Sequence, residues 1–375
     1  MGAAAFLKIN ILSEIGKLNL QNIEPVSADL AAEVFGEVKK LKKEYKYSTE
    51  IMPDVYSIKL PLSGYKPGPV NVYLFKGDKI TLIDTGMKQT ADLLKKALGE
   101  HGIRFSDIEN IVLTHGHVDH YGAAKKIVKA GKAKVTAHAE DIIAIEKGME
   151  VSVGRYTNFL KLMSVPLPIR IMLGFFFLRF RSMSDNCKVD IVMRDGDEIE
   201  LGKYRGRIIE TPGHSKGSVS IFLEKEKILF CGDTIIEHIT PNAFVMLDEH
   251  KRLPVRMSQT EFYESLARIR KLSPVMIYSA HGKAVSDIDK IIDGYEKAFA
   301  ERQEKIMSII KSGEKNIYRI ARKLFPEIGG TKLPLEIFLS ISEVYTNMQI
   351  LQMKGNISLN IVKGLLEVTE LEKEN

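Results

Sequence analysis

Thr114-His115-Gly116-His117-Val118-Asp119-His120 sets three imidazoles and a carboxylate on one short stretch of chain. It follows the apolar run Ile111-Val112-Leu113, so it opens at the end of a strand, where His-x-His can turn two imidazoles toward one ion. Three further ligand-bearing segments lie downstream: Thr211-Pro212-Gly213-His214, Cys231-Gly232-Asp233-Thr234 and Ser279-Ala280-His281-Gly282. A fourth, Leu82-Ile83-Asp84-Thr85-Gly86, lies upstream and adds a carboxylate. The chain has nine histidines, and five of them fall in these segments, which argues against a merely solvated histidine loop. His115, His117 and His214 form a three-imidazole set that leaves a fourth position open, as a catalytic metal requires. Asp119 and His120, on the same loop, combine with His281 into a second set. Asp233 has two oxygens and can bridge both, and a paired site of this kind clamps a displacement with hydroxide available at neutral pH.

The flanking sequence reads as layered α/β. Residues 70–75, 79–83 and 111–113 are β-branched apolar runs, 89–99 and 123–130 are amphipathic helices, and 133–137 is another strand. A second strand-rich stretch follows over 189–194, 197–201, 206–210, 218–223 and 227–231, with turns at Asp195-Gly196 and Leu201-Gly202. Ligand segments sit at strand ends in both halves, so the expected fold is two β-sheets face to face with helices outside and the site at one edge.

The composition is that of an ordinary globular chain: 375 residues, 45% hydrophobic and 27% charged. A net charge of +6 permits an anionic partner without demanding one. The two cysteines, Cys187 and Cys231, rule out a disulfide framework. Lys8 breaks the N-terminal apolar run and Phe6 stands where a myristoylation motif wants Ser or Thr, so the expected location is cytoplasmic.

Taken together, the five segments make the chain resemble the metallo-β-lactamase-fold hydrolases of the His-x-His-x-Asp-His branch, over about residues 50–290 and in family order. The resemblance implies an αββα sandwich with two Zn2+ per chain, iron or manganese being the alternatives. It implies that His115, His117 and His214 hold one ion, that Asp119, His120 and His281 hold the other, and that Asp233 bridges. Asp119 and Asp84 are the catalytic carboxylates expected from it, with Asp84 supporting the loop and Gly86 making the turn. Ala280 stands where the family usually has glycine, next to a ligand but not itself one. The His-x-Glu of the diiron branch is absent, because position 117 is His.

The expected domains are a helical arm over 1–50, a catalytic domain over 51–298 and a winged-helix-like domain over 299–375. The last reads as helices at 301–311, 316–324 and 334–353, then a hairpin about Lys363-Gly364; it and Ile239-Thr240-Pro241-Asn242 resemble a subgroup of the family. Its third helix is poor in Lys and Arg, which disfavours nucleic acid as a partner and favours packing or homo-oligomer formation. An insertion over 140–186 has the apolar stretch 162–180, with Phe175, Phe176 and Phe177 flanked by Arg170, Arg179 and Arg181. Interrupted by prolines and arginines, it reads as no membrane span; it is either two helices buried against the domain or a dimer partner, or a lid that shapes an apolar pocket for a hydrophobic acyl substrate or touches a lipid interface. The expected reaction is hydrolysis of an ester-like bond (thioester, lactone or related acyl substrate) by metal-bound hydroxide; ribonuclease or phosphodiesterase activity is the alternative.

Overall fold

Strand Val70–Phe75 is buried along its whole length, and its alternating side chains feed two different cores. Val70, Val72 and Leu74 pack toward helices, while Tyr73 and Phe75 pack toward a second sheet. A strand buried on both faces cannot be half polar, which is why this segment reads as a continuous apolar run. The computed structural model describes residues 47–62, 67–148, 153–180, 185–241, 243–247, 251, 253–328 and 333–371, with the side chains of 153, 177–180, 333 and 334 left aside.

The first sheet has seven strands in sequential order: β1 (Ser48–Met52), β2 (Val55–Leu60), β3 (Val70–Phe75), β4 (Ile80–Ile83), β5 (Ile108–Val112), β6 (Lys134–His138) and β7 (Ile191–Met193). β1 to β4 are antiparallel and β4 to β7 parallel. The second sheet runs β12 (Met276–Tyr278), β11 (Ile228–Phe230), β10 (Val219–Leu223), β9 (Tyr204–Glu210), β8 (Glu198–Leu201). The expected helical arm over 1–50 lies outside the described residues as far as Lys46. Residues 48–50, read as its end, belong instead to the edge strand β1.

One core fills the space between the sheets, with Val55, Phe75, Ile83 and Val112 from the first and Ile208, Val219, Ile221 and Phe230 from the second. The outer face of the first sheet is covered by α1 (Ala91–Gly99) and, past the short α2 (Val118–Tyr121), by α3 (Ala124–Ala130). After α4 (Ile142–Lys147), α5 (Val153–Leu162) and α6 (Leu167–Phe180), the outer face of the second sheet is covered by α7 (Ser258–Leu272) and α8 (Ile288–Lys311). The layers are therefore helix, sheet, sheet, helix.

Three helices and a hairpin close the chain, but the first begins at Ile288 rather than at 301. α8 puts Ile292, Tyr295 and Phe299 on the second sheet and Ile306 and Ile310 into a separate cluster, so no linker falls at residue 299. That cluster also takes α9 (Ile317–Leu324), α10 (Leu333–Met353) and the hairpin β13 (Ile357–Val362) and β14 (Leu365–Glu370). The insertion joins it through Phe159, Leu160, Met163 and Leu173. Residues 340–351 of α10 are all buried, so this stretch presents no face to a nucleic-acid groove. Within it Glu343 pairs with Arg302 at 2.6 Å, and burial still pushes its carboxyl upward against that cation. Among the described residues no helix is long and apolar enough to cross a membrane.

Val344 is fully buried in α10, so Val344→Asp removes its packing and strands a charge in the core. It should cost about 3–5 kcal/mol, read as a lower urea midpoint. Lys297→Ala, on the exposed face of α8, should stay within about 0.5 kcal/mol of the parent protein.

Candidate metal centre

All five ligand segments follow the C-terminal ends of strands. β4 and β5 are parallel neighbours. β9 and β11 each run antiparallel to β10, and β12 runs parallel to β11. The loops after β4, β5, β9, β11 and β12 thus emerge at one edge, and His115, His117, Asp119, His120, His214, Asp233 and His281 meet there. His115 Nε2 and His214 Nε2 each lie 3.0 Å from His117 Nδ1. His120 Nε2 lies 3.7 Å from Asp119 Oδ1, and His281 Nε2 lies 3.6 Å from Asp119 Oδ2. Asp233 stands between the sets, with Oδ2 3.4 Å from His214 Nε2 and Oδ1 3.7 and 3.5 Å from His120 and His281 Nε2.

Hydrogen bonds set the aim of these side chains. Asp84, buried and in the left-handed region at φ 60°, accepts from the Thr114 N–H at Oδ1 and from the Thr114 hydroxyl at Oδ2, both 2.8 Å. The same Oδ2 is 2.8 Å from His120 Nδ1, so the proton sits on Nδ1 and Nε2 is free to bind metal. Asp84 and Asp119, grouped as catalytic in the sequence reading, therefore occupy different places: Asp119 lies among the ligand atoms, whereas Asp84 reaches them through His120. His281 Nδ1 faces the Gly68 and Pro69 carbonyls at 3.1 and 3.0 Å, which again leaves Nε2 for the site. Gly232 turns the chain into Asp233 at φ 52°, where a Cβ would lie 2.9 Å from that of Thr114.

Three positioning residues escaped the sequence reading. Asn71 Nδ2 donates to the carbonyls of Ser279 and Gly282 at 3.0 and 3.1 Å, and Tyr73 OH donates to Ser279 at 2.5 Å; together they hold the His281 loop from β3. Asp141 accepts from the Gly116 N–H at 2.7 Å, the Ser215 hydroxyl at 2.7 Å and the Gly217 N–H at 3.0 Å, tying the His115 and His214 loops together. A buried polar residue within the apolar run of β3 was the available signal for Asn71. Asp141 lies inside the stretch read as an insertion and carried none.

The electrostatics divide the imidazoles into two kinds. Burial, reinforced by the surrounding histidines, holds His115 well below its ordinary pKa. Burial also works against charge on His120, but Asp119, Asp84 and Asp233 outweigh it and push the group up to about 10. Asp119 is held below the carboxylate range, because His120 and His281 overcome the effect of burial. Burial, with a smaller push from the Asp233 charge, raises Cys231 to about 12, and its Sγ contacts Ile235 O and Ser279 Oγ.

The residues fit a divalent metal. Three sets of ligand atoms cluster: His115, His117 and His214; His115, His120 and Asp233; Asp119, His120 and His281. A tetrahedral ion with ligands at about 2.0–2.2 Å separates its ligand atoms by about 3.3–3.6 Å, and the spacings here run from 3.0 to 3.7 Å. His120 Nε2, His281 Nε2 and Asp233 Oδ1 are buried without a hydrogen-bond partner, a costly arrangement that an ion relieves.

The remaining candidates lie elsewhere. Phe244 meets His117 and His214 edge-on, with ring centroids 5.3 and 5.0 Å away. It also packs against the apolar cluster that the insertion shares with the C-terminal helices, as does Phe176. Phe175 is 70% exposed, and the Phe177 side chain, like Asn242 and His250, lies outside the described residues. His138 pairs with Glu210, His101 with Ser48 and His238, whose ring lies against Gly282, with the Pro67 carbonyl; none of the three belongs to a ligand cluster.

The profile of the metallo-beta-lactamase superfamily matches residues 65–281. A protein named probable metallo-hydrolase YqjP, of Bacillus subtilis, is 27% identical over 316 residues, 81% of this chain and 94% of that protein. A hydroxyacylglutathione hydrolase of Francisella tularensis subsp. novicida is 24% identical over 257 residues, 64% of this chain and 81% of that one. The crystal structure of the metallo-beta-lactamase family protein TTHA1429 from Thermus thermophilus superposes with a TM-score of 0.74 at 22% identity, over 86% of this chain and 100% of that one. That likeness in fold extends past residues 65–281, so it takes in elements outside the matched domain. The profile, the metallo-hydrolase relative and the shared fold agree with the ligand edge: this chain belongs to the metallo-beta-lactamase superfamily and is a metal-dependent hydrolase.

Proposed function

We propose that the chain is a dinuclear zinc hydrolase acting on an ester-like acyl bond, a thioester or lactone above all. The observation that carries the dinuclear reading is Asp233, whose two oxygens face two separate imidazole groups. A carboxylate so placed serves two ions better than one. Bound there, such ions supply Lewis-acid polarisation of the substrate oxygen and a nucleophile at neutral pH. The all-nitrogen first set and mixed second set suit zinc.

The chain's own residues supply placement. Asp119 has a 17% exposed side chain against 6% for Asp233, so it is the carboxylate at the open rim. It is positioned to orient the attacking water through one oxygen. Asp84 holds His120 in one tautomer. Phe244 shields His117 and His214 and offers apolar contact beside them. That contact favours an acyl group over a phosphodiester, as does the relative named hydroxyacylglutathione hydrolase. A turnover screen with a thioester, a lactone, a phosphodiester and a short RNA tests the reading: preference for the thioester or lactone supports it, and preference for RNA replaces it with the nuclease alternative.

Protein purified without chelator should hold about two equivalents of zinc, and zinc added to the stripped protein should raise its Tm. One equivalent, unchanged by supplementation, would remove the second ion. His117→Ala and Asp233→Ala should each lower turnover at least about a hundredfold while circular dichroism stays unchanged.

Asp84→Asn should weaken zinc binding about 10–100-fold and lower turnover less at saturating zinc than at limiting zinc. An equal loss at both concentrations would make Asp84 more than a positioning residue.

The insertion is proposed to lie along the acyl chain of the substrate. Replacing Phe175, Phe176 and Phe177 together by alanine should raise KM for a long-chain substrate with little change for a short one, since lost apolar contact weakens ground-state binding. Equal effects on the two substrates would count against this.

A further inference from the structure

The loop after β11 carries Asp233, and α8 meets it with one polar atom. On its buried stripe α8 presents Ile288, Ile292, Tyr295 and Phe299 to the second sheet, at the spacing i, i+4, i+7 and i+11. Three of these side chains end in hydrocarbon. Tyr295 ends in a hydroxyl, and with the residue only 4% exposed that hydroxyl needs partners inside the protein. It finds two on one residue: it accepts from the Ile236 N–H at 2.8 Å and donates to the Ile236 carbonyl at 2.5 Å. Burial holds the group above the ordinary tyrosine pKa, so it remains a donor wherever imidazoles are neutral enough to bind metal.

Ile236 lies three positions past Asp233. Around Asp233 itself the chain is tied to the second sheet and its loops. The Cys231 N–H donates to the Tyr278 carbonyl at 3.1 Å, the Gly232 carbonyl accepts from the Ala280 N–H at 2.8 Å, and the Thr234 hydroxyl donates to that of Thr211 at 3.1 Å. Past Thr234, α8 provides the hold. Ile236 is 1% exposed, so removing the Tyr295 hydroxyl takes the partner from two main-chain groups of a buried residue. The same helix carries the tie outward. Two turns beyond Tyr295, Arg302 pairs with Glu343 of α10, and Ile306 enters the cluster shared with the insertion.

We propose that Tyr295 is a positioning residue of the metal centre: its hydroxyl fixes the far end of the Asp233 loop, and the C-terminal layer thereby holds the carboxylate that faces both imidazole groups. This rests on the reading of Asp233 as a ligand, and it is independent of which acyl bond is cleaved. Asp233 is a residue that needs such a hold. Its Oδ2 is 3.4 Å from His214 Nε2 and its Oδ1 3.5 Å from His281 Nε2, so a small shift of the loop favours one group at the expense of the other.

Zinc affinity, read on the full stripped chain by competition with a chromophoric chelator, tests this at a temperature where circular dichroism shows every variant folded. Tyr295→Phe keeps the ring and removes the hydroxyl. Tyr345→Phe is the control, because the Tyr345 hydroxyl is also buried and donates to the Pro254 carbonyl at 3.0 Å, outside the ligand segments. Both variants should lose a few degrees of Tm, the cost of a buried hydrogen bond. Tyr295→Phe alone of the two should also weaken zinc binding, about tenfold, as expected when a group that orients a ligand is lost. Asp233→Ala, measured alongside, should weaken it further. In the stripped parent protein the Ile236 amide should resist hydrogen exchange as the amides of β11 do. Rapid exchange at Ile236 would overturn the tie without recourse to any variant. Zinc affinity that is unchanged in Tyr295→Phe while Asp233→Ala weakens it, or that falls equally in Tyr345→Phe, would overturn the role of Tyr295 and leave Asp233 a ligand. Unchanged affinity in Asp233→Ala would overturn the ligand reading, and the role of Tyr295 with it.

Discussion

The metal edge depends on one buried carboxylate. Asp84 is 1% exposed and takes three hydrogen bonds, two from Thr114 and one from His120. Thr114 in turn accepts from the Val219 N–H of the second sheet at 2.9 Å. A chain of contacts thus runs from the end of β4 through the loop after β5 to β10, closing both sheets against each other where the ligands emerge. Its left-handed backbone costs roughly 1–3 kcal/mol, and such strain persists only where the surroundings enforce it. Here they do, because any other aim of that carboxylate would leave His120 Nδ1 without its partner.

The rest of the site is built on the same plan. Each loop bearing a ligand is tied to a strand or loop from elsewhere in the chain: the His281 loop to β3 by Asn71 and Tyr73, and the His115 and His214 loops to each other by Asp141. Ligand atoms held this way cannot move apart to relieve the loss of water around them. The buried, unpartnered nitrogens and oxygen are the physical consequence, and they make the edge selective for a cation.

The insertion and the C-terminal helices share one apolar cluster, so they are best understood as a single layer laid beside the sandwich. α8 belongs to both, through Phe299 on one side and Ile306 on the other. The burial of residues 340–351 reserves α10 for packing. What this layer leaves on the surface is an apolar row on α6, with Leu167, Ile171 and Phe175 52–70% exposed.

Sequence alone singled out the residues that the fold gathers at one edge as candidate ligands, because imidazole and carboxylate at those spacings have few other uses and the segments follow strands. It carried the layered sandwich as well: the apolar, β-branched run of β3 and the helical period of α1 depend on local geometry and survive without a partner in view. Three things were settled only in three dimensions. Asp84 and Asp119 look alike in sequence, yet one is enclosed by Thr114 and His120 and the other stands at the rim, a distinction made by residues 30 and more positions away. Asp141 has no local signature, since its three partners come from two other loops. The start of α8 at Ile288 was hidden because one helix serves two cores, and the periodicity of its first half reports a sheet rather than the helices that follow. Ligand chemistry is written in residue type and spacing, but the aim of a side chain is set by contacts distant in sequence, and those exist only once the sheets have closed.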